Sequence, residues 1–281
     1  MIFSLNSTKN PTTSIELKDP LAHKPKIMHL DSDKQGASFL PLLYAIAMEI
    51  HALVACSLLL PFTGFHSHLR SSGGSDGTPI LMLNGYASFG SSWAYQNQSL
   101  IKANLGPIYT MNVRSFTSIE SNAEAVQKQV AQIEQETGCT KLIIIGHSKG
   151  GLVGAYYATA LSQNNKSMIT KVITIGSPLK GTYLAHFGPG TDASEMKPGS
   201  VFLTDLESRI KQAIRTQFYH IGSELDIVVP PSSALRGDHP DRELHVNHVG
   251  HTGLLFDPMI AKQVAKWAKE PEASGSIRAS V

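Results

Sequence analysis

Ser148 sits in Gly146-His147-Ser148-Lys149-Gly150, after the apolar run Lys141–Ile145 and before a helix-like stretch, Gly151–Leu161. A serine hydroxyl becomes a useful nucleophile only when a base takes its proton. A strand, a sharp turn and a helix around Gly-x-Ser-x-Gly lift such a hydroxyl above the edge of a parallel sheet. Side chains at 146 and 150 would collide with backbone in that turn, and Gly151 lets the helix approach the strand. The helix N-terminus behind Ser148 brings partial positive charge to where an oxyanion would form. The backbone N–H of Lys149 is one candidate donor to it. The Lys149 side chain is expected in solvent or at a cleft rim.

A nucleophilic serine needs a histidine base, and the histidine needs an acid to orient it. On strand–turn–helix serines of this kind the order along the chain is serine, acid, histidine. Asp226 follows the strand-like run Gln217–Ile221 and is the acid candidate, with Glu224 the alternative. Asp205 and Glu207 read as a solvated helix face. Among twelve histidines, His245, His248 and His251 recur every third residue near the end. Gly250 and Gly253 argue against a helix across them, and no Cys or carboxylate pattern completes a metal set, so no metal or cofactor is expected. His251, in the loop after the last strand, is the base candidate, with His248 the alternative.

The elements that must position these residues follow from periodicity. Apolar runs at Pro79–Leu83, Ile108–Val113, Lys141–Ile145 and Val172–Ile175 read as doubly covered strands, followed by Gln217–Ile221 and Glu243–Val246. Ile119, Ala123, Val126, Val130 and Ile133 recur at helical spacing within Ser118–Thr137. Ser121 with Glu124 offers a capping box and Gly138 a stop. Pro258–Lys269 closes with a helix. Strands alternating with helices predict an α/β fold, a mainly parallel sheet of about six strands flanked by helices. The segment 177–215 is too long for a plain crossover. It is rich in Gly and Pro, with a helix expected from Ser200, and reads as a lid-like insertion.

The remainder bounds the function. A net charge of +2 without a basic stripe excludes a nucleic-acid partner. Cys56 and Cys139 form no disulfide framework. Residues 1–38 are polar and broken by prolines, a weakly ordered leader. Residues 39–70 hold an apolar run, 42–60, of about bilayer length at ~1.5 Å per residue, with Glu49 and His51 at its centre. It reads as a membrane anchor or interfacial helix, or as a helix docked on the core. Localisation is accordingly membrane-associated, with a single-pass anchor at 42–60 as one form and cytoplasmic or secreted as alternatives. Residues 71–78 form a Gly/Ser linker, and 71–281 the catalytic domain. Oligomeric state is left open.

Three segments together resemble the bacterial lipase branch of the α/β-hydrolases over residues 79–270. Gly146–Gly151 is close to Gly-His-Ser-x-Gly-Gly. Ile175–Thr182 resembles Gly-Thr-Pro-His-x-Gly-Thr, with Ser177 for Thr and Leu179 for His. Asn247–Phe256 resembles the Gly-His-x-x-Leu-Leu signature, which favours His251. The resemblance implies an α/β-hydrolase fold and hydrolysis of carboxylic esters of acylglycerols or related lipids through Ser148, Asp226 and His251. It also implies a second oxyanion donor, the backbone N–H of Tyr86 in Leu83-Asn84-Gly85-Tyr86, where Asn84 replaces the usual His. Some such lipases hold Ca²⁺ near the histidine, and this chain lacks the acidic pattern. Phospholipase, lysophospholipase or acyltransferase chemistry uses the same triad, and a membrane-docked binding protein on an inactive hydrolase fold is the non-enzymatic alternative.

Overall fold

A computed structural model of the chain describes residues 68–71, 77–86 and 90–271, with Leu43 and Ala47. The leader at 1–38, the run at 42–60 apart from those two residues, and 72–76 of the linker lie outside the described residues. No helix among the described residues is long and apolar enough to cross a membrane.

Among the described residues seven strands form one sheet: β1 (His68–Ser71), β2 (Ile80–Leu83), β3 (Ile108–Met111), β4 (Lys141–His147), β5 (Met168–Ile175), β6 (Gln217–Ser223) and β7 (Glu243–Val246). Their order is β1-β3-β2-β4-β5-β6-β7. From β3 to β7 all neighbours are parallel, and β1 alone runs antiparallel, against β3. β1 lies where the apolar segment 39–70 was expected to end. Its four residues, His-Leu-Arg-Ser, show no apolar alternation; what they supply is backbone pairing for the outer edge of β3.

The helices are α1 (Ala94–Lys102), α2 (Ile119–Thr137), α3 (Lys149–Tyr156), α4 (Thr191–Glu195), α5 (Val201–Gln212), α6 (Pro231–Ala234) and α7 (Pro258–Lys269). Alternate residues of each strand enter opposite layers. Leu81, Leu83, Leu142 and Ile144 pack with Val126, Val130, Leu152 and Leu206 of α2, α3 and α5. Ile80, Met82, Ile143 and Ile145 pack with Leu100, Ile260, Val264 and Trp267 of α1 and α7. Covering both faces is why these strands read as continuous apolar runs.

The periodic positions expected for α2 are all buried. Its N-terminus differs from expectation. The cap is Ser118, whose hydroxyl accepts from Ser121 N–H at 3.1 Å, three residues before the expected Ser121–Glu124 box. Gly138 ends α2 in the left-handed region, its N–H bonded to Glu134 O. The helix after Ser148 begins at Lys149 and ends in a wider π turn, Tyr157–Leu161. α1 had no amphipathic signal to reveal it: of its nine residues only Gln96 and Leu100 are buried. Gln96 Nε2 donates to Leu255 O at 3.2 Å, tying α1 to the loop after β7.

Segment 177–215 is ordered as a 3₁₀ turn, Tyr183–His186, then α4 and α5. Its first end is bonded to the loop after β6, through Thr182 Oγ1 to Val228 O and Ser233 Oγ to Gly181 O. Further along, Pro189 O accepts from the Tyr86 hydroxyl at 3.1 Å, and Gly190 packs on the backbone of Phe116. The segment thus crosses the carboxyl end of the sheet, from the loop after β6 to the loops after β2 and β3.

Candidate active site

Ser148, Asp226, His251 and Tyr86 all stand at the carboxyl ends of strands, after β4, β6, β7 and β2. Ser148 has φ 53° and ψ −125°, a left-handed backbone for a residue with a side chain. Such strain costs on the order of 1–3 kcal/mol and persists only where the surroundings over-determine it. They do. Ser148 N–H donates to Ile175 O at 2.9 Å, anchoring the turn on β5. A Cβ on Gly146 would lie 2.4 Å from Gly151 Cα, and one on Gly150 would lie 2.3 Å from Leu83 O. Both distances are impossible contacts, so the turn exists only with glycine at both places.

Asp226 is buried, and its Oδ1 accepts from Val228 N–H at 2.9 Å and Val229 N–H at 2.8 Å. Its Oδ2 lies 2.7 Å from His251 Nδ1. An ionised carboxylate only accepts, so the proton sits on Nδ1 and Nε2 keeps its lone pair. That tautomer suits a general base.

The alternatives are occupied elsewhere. His248 Nε2 lies 2.7 Å from Asp257 Oδ2, and Asp257 also caps α7 through Ile260 N–H. His245 Nε2 faces Glu224 at 3.0 Å, both side chains well exposed. Each histidine of the triplet therefore has its own carboxylate, and only His251 reaches Asp226. Asp205 and Glu207 pair with Arg209 and Lys211 on the exposed face of α5, as expected.

Two residues flanking Ser148 carry roles that the sequence left unread. His147 is buried, its ring 4.7 Å from that of His251, its Nε2 3.1 Å from His251 O. Burial, reinforced by the neighbouring His251, lowers its pKa from 6.5 to about 3, so it stays neutral and donates from Nε2. It links the turn at Ser148 to the backbone at His251.

Lys149 is the clearest correction. It was expected in solvent or at a rim, and it is fully buried. Its Nζ lies 2.6 Å from Asp192 Oδ2 and 2.5 Å from Arg114 O, and 5.5 Å above the Tyr86 ring. The helix that follows an elbow serine starts inside the fold, so its first side chain has only protein to meet. A signal existed in the sequence: a lysine inside an otherwise small and apolar run needs a buried counter-charge, but nothing local points to Asp192, 43 residues away.

The loop after β2 lies against the serine. A Cβ on Gly85 would come 2.9 Å from Ser148 Cβ. Asn84, in place of the usual His, is buried, and its Oδ1 accepts from Val113 N–H at 2.6 Å. Tyr86 packs edge-on against Phe116, ring centroids 5.6 Å apart.

Residues 108–192 match the family model of the PGAP1-like alpha/beta domain. The chain is 30% identical over 118 residues to a triacylglycerol lipase of Pseudarthrobacter phenanthrenivorans, covering 39% of this chain and 35% of that protein. It is equally similar to a triacylglycerol lipase of Burkholderia plantarii, covering 39% and 32%. The chain therefore spans about a third of the length of these relatives. Among solved structures, the mature Bacillus licheniformis lipase BlEst2 superposes with a TM-score of 0.61 at 13% identity, over 71% of this chain and 95% of that one. The parallel sheet, the elbow at its centre and these likenesses together give this chain the α/β-hydrolase fold of lipases and esterases.

Proposed function

We propose that the protein is a serine carboxylic-ester hydrolase, and that its esters are lipids of the acylglycerol type. The observation that carries the reading is the 2.7 Å contact of His251 Nδ1 with Asp226, on an imidazole whose ring lies 4.7 Å from that of His147, the residue preceding Ser148. In this reading His251 Nε2 takes the Ser148 proton as Oγ bonds to the ester carbonyl carbon. The N–H groups of Tyr86 and Lys149 hold the oxyanion. The C–O bond to the alcohol then breaks, His251 gives the alcohol its proton, and water, deprotonated by His251, releases the acid.

The lipid assignment rests on two supports. The relatives are triacylglycerol lipases. The loops that meet at the site also carry exposed apolar side chains: Phe116, Tyr183, Leu184, Phe187 and Ile227. Isolated exposed hydrophobics are ordinary, but several on the loops at the end of the sheet that bears Ser148 suit an acyl chain or a lipid surface. Attachment to a membrane through 42–60 is part of the same proposal, tested by flotation of the full chain with vesicles.

The deciding experiment is a fluorophosphonate probe and an acyl-chain panel on the full chain. Labelling at Ser148, lost in Ser148→Ala along with ester turnover, is the expected result. Turnover that survives Ser148→Ala would sink the assignment. Triacylglycerols against phospholipids in the same panel separate a lipase from a phospholipase.

A further inference from the structure

Segment 177–215 crosses the end of the sheet that bears Ser148, so whether it moves decides how an ester enters. Among the contacts that bind it to the loops beneath, one centres on a buried cation. Lys149 Nζ and Asp192 Oδ2 are 2.6 Å apart with no side-chain exposure on either residue. Asp192 Oδ2 also accepts from Phe116 N–H at 3.0 Å, and Oδ1 from Ala193 N–H at 3.0 Å. Three residues on, Glu195 Oε2 accepts from Ile119 N–H at 2.7 Å, at the start of α2. The same Lys149 Nζ reaches Arg114 O in the loop after β3 and stands over Tyr86 in the loop after β2. One side chain therefore joins the nucleophile turn, both neighbouring loops and the crossing segment. Phe116, held at φ 64°, marks how tightly its loop is bound to Asp192 and Gly190.

We propose that Lys149 is a positioning residue whose buried ion pair with Asp192 clamps the 177–215 segment onto the nucleophile turn, making that segment a fixed wall of the ester site, not a lid that opens at a lipid interface. Lifting the segment would expose or strand a buried ammonium and a buried carboxylate. Separating two such charges without new partners is strongly unfavourable, because each was desolvated on the strength of the other. Burial also pulls the Lys149 pKa down from its ordinary value while Asp192 opposes that fall, as a dry pair requires. With the wall fixed, dispersed single ester molecules reach Ser148 as readily as aggregated ones. Tyr183 and Phe187 of this segment are already exposed and need no rearrangement to be presented. The consequence for rate rests on the ester-hydrolase reading; the clamp itself does not.

The test is hydrogen exchange by mass spectrometry on the full chain, with and without mixed micelles of a nonionic detergent and triacylglycerol. Peptides covering 183–199 should exchange at the same rate in both, and the rate of tributyrin hydrolysis should rise smoothly through its solubility limit. Micelle-induced exchange about 10-fold faster over 183–199, or a jump in rate at that limit, overturns the proposal. Asp192→Asn should speed exchange over 183–199 by about 10-fold or more and lower kcat by about 10- to 100-fold while KM moves little. The double variant Lys149→Met with Asp192→Leu removes both charges and should recover the melting temperature without recovering kcat. Full kcat in that double variant means a structural pair only and also overturns the proposal. A wild-type chain that turns over no ester, yet keeps 183–199 protected in micelles, removes the hydrolase reading and leaves the clamp standing.

Discussion

The Nδ1 of His251 lies 2.7 Å from Oδ2 of Asp226, with no exposure on the Asp226 side chain. That single contact selects one histidine of three and one carboxylate of several. It also sets the tautomer, since a carboxylate that accepts from Nδ1 leaves Nε2 as the basic nitrogen.

Replacing Asp226 by Asn should keep the fold, because an amide oxygen can still accept from Val228 and Val229 N–H. The amide would favour the wrong tautomer of His251, and kcat on a p-nitrophenyl ester should fall roughly a thousand- to ten-thousand-fold. A loss under tenfold would show that Asp226 is not the orienting acid.

His248 and His251 should separate cleanly. His251→Ala should remove ester turnover. His248→Ala should leave kcat near wild type while lowering stability by about 1 kcal/mol, because its partner Asp257 would lose one contact yet keep its cap on α7. Kinetics and urea melts on both variants read this directly. The reverse pattern would exchange their roles.

Ser148 should be a source of strain. Glycine accepts φ 53° and ψ −125° without a steric penalty, so Ser148→Gly should be more stable than Ser148→Ala by about 1–2 kcal/mol. Denaturant unfolding of the two inactive variants tests it. Equal midpoints would mean that the turn holds no strain.

Acid should destabilise the fold before the carboxylates titrate. Burial holds His147 and His220 near pKa 3, well under their ordinary 6.5. Between those values the unfolded chain binds the protons and the native chain does not. The stability they contribute is complete above pH 6.5 and is lost as pH falls through that window, at about 1.4 kcal/mol per pH unit for each group. Melting temperature should therefore drop from pH 7 to pH 5, and less steeply in His220→Gln. A flat profile over that range would contradict the buried, neutral state of both rings.

Much of this was legible from residue order alone. The runs at Ile80–Leu83 and 142–145 are apolar at every position because helices lie on both faces, and that pattern is local. The elbow is partly local too: Gly146 is demanded by contact of the turn with itself, whereas Gly150 is demanded by Leu83 on the neighbouring strand β2. The serine–acid–histidine order needed only the topology of a parallel sheet, and it led to residues that the fold does gather at one edge.

What residue order could not decide involves partners distant in sequence. Loop position and the Gly-His-x-x-Leu-Leu resemblance favoured His251 over His248, but which carboxylate each ring meets, Asp226 or Asp257, is set by tertiary position. Ser118 caps α2 three residues ahead of the expected box, and Ile119 N–H beside it is bonded to Glu195, 76 residues away, a partner that no local spacing names. β1 carries no apolar pattern in its sequence, and its pairing with β3 shows only in the backbone register. Lys149 shows the limit most clearly. By sequence it is a polar residue beside the Gly-x-Ser-x-Gly serine, with every reason to seek water. Folding places it where water is excluded, and the cost of a bare buried charge then binds it to Asp192, a carboxylate that no local spacing could have named.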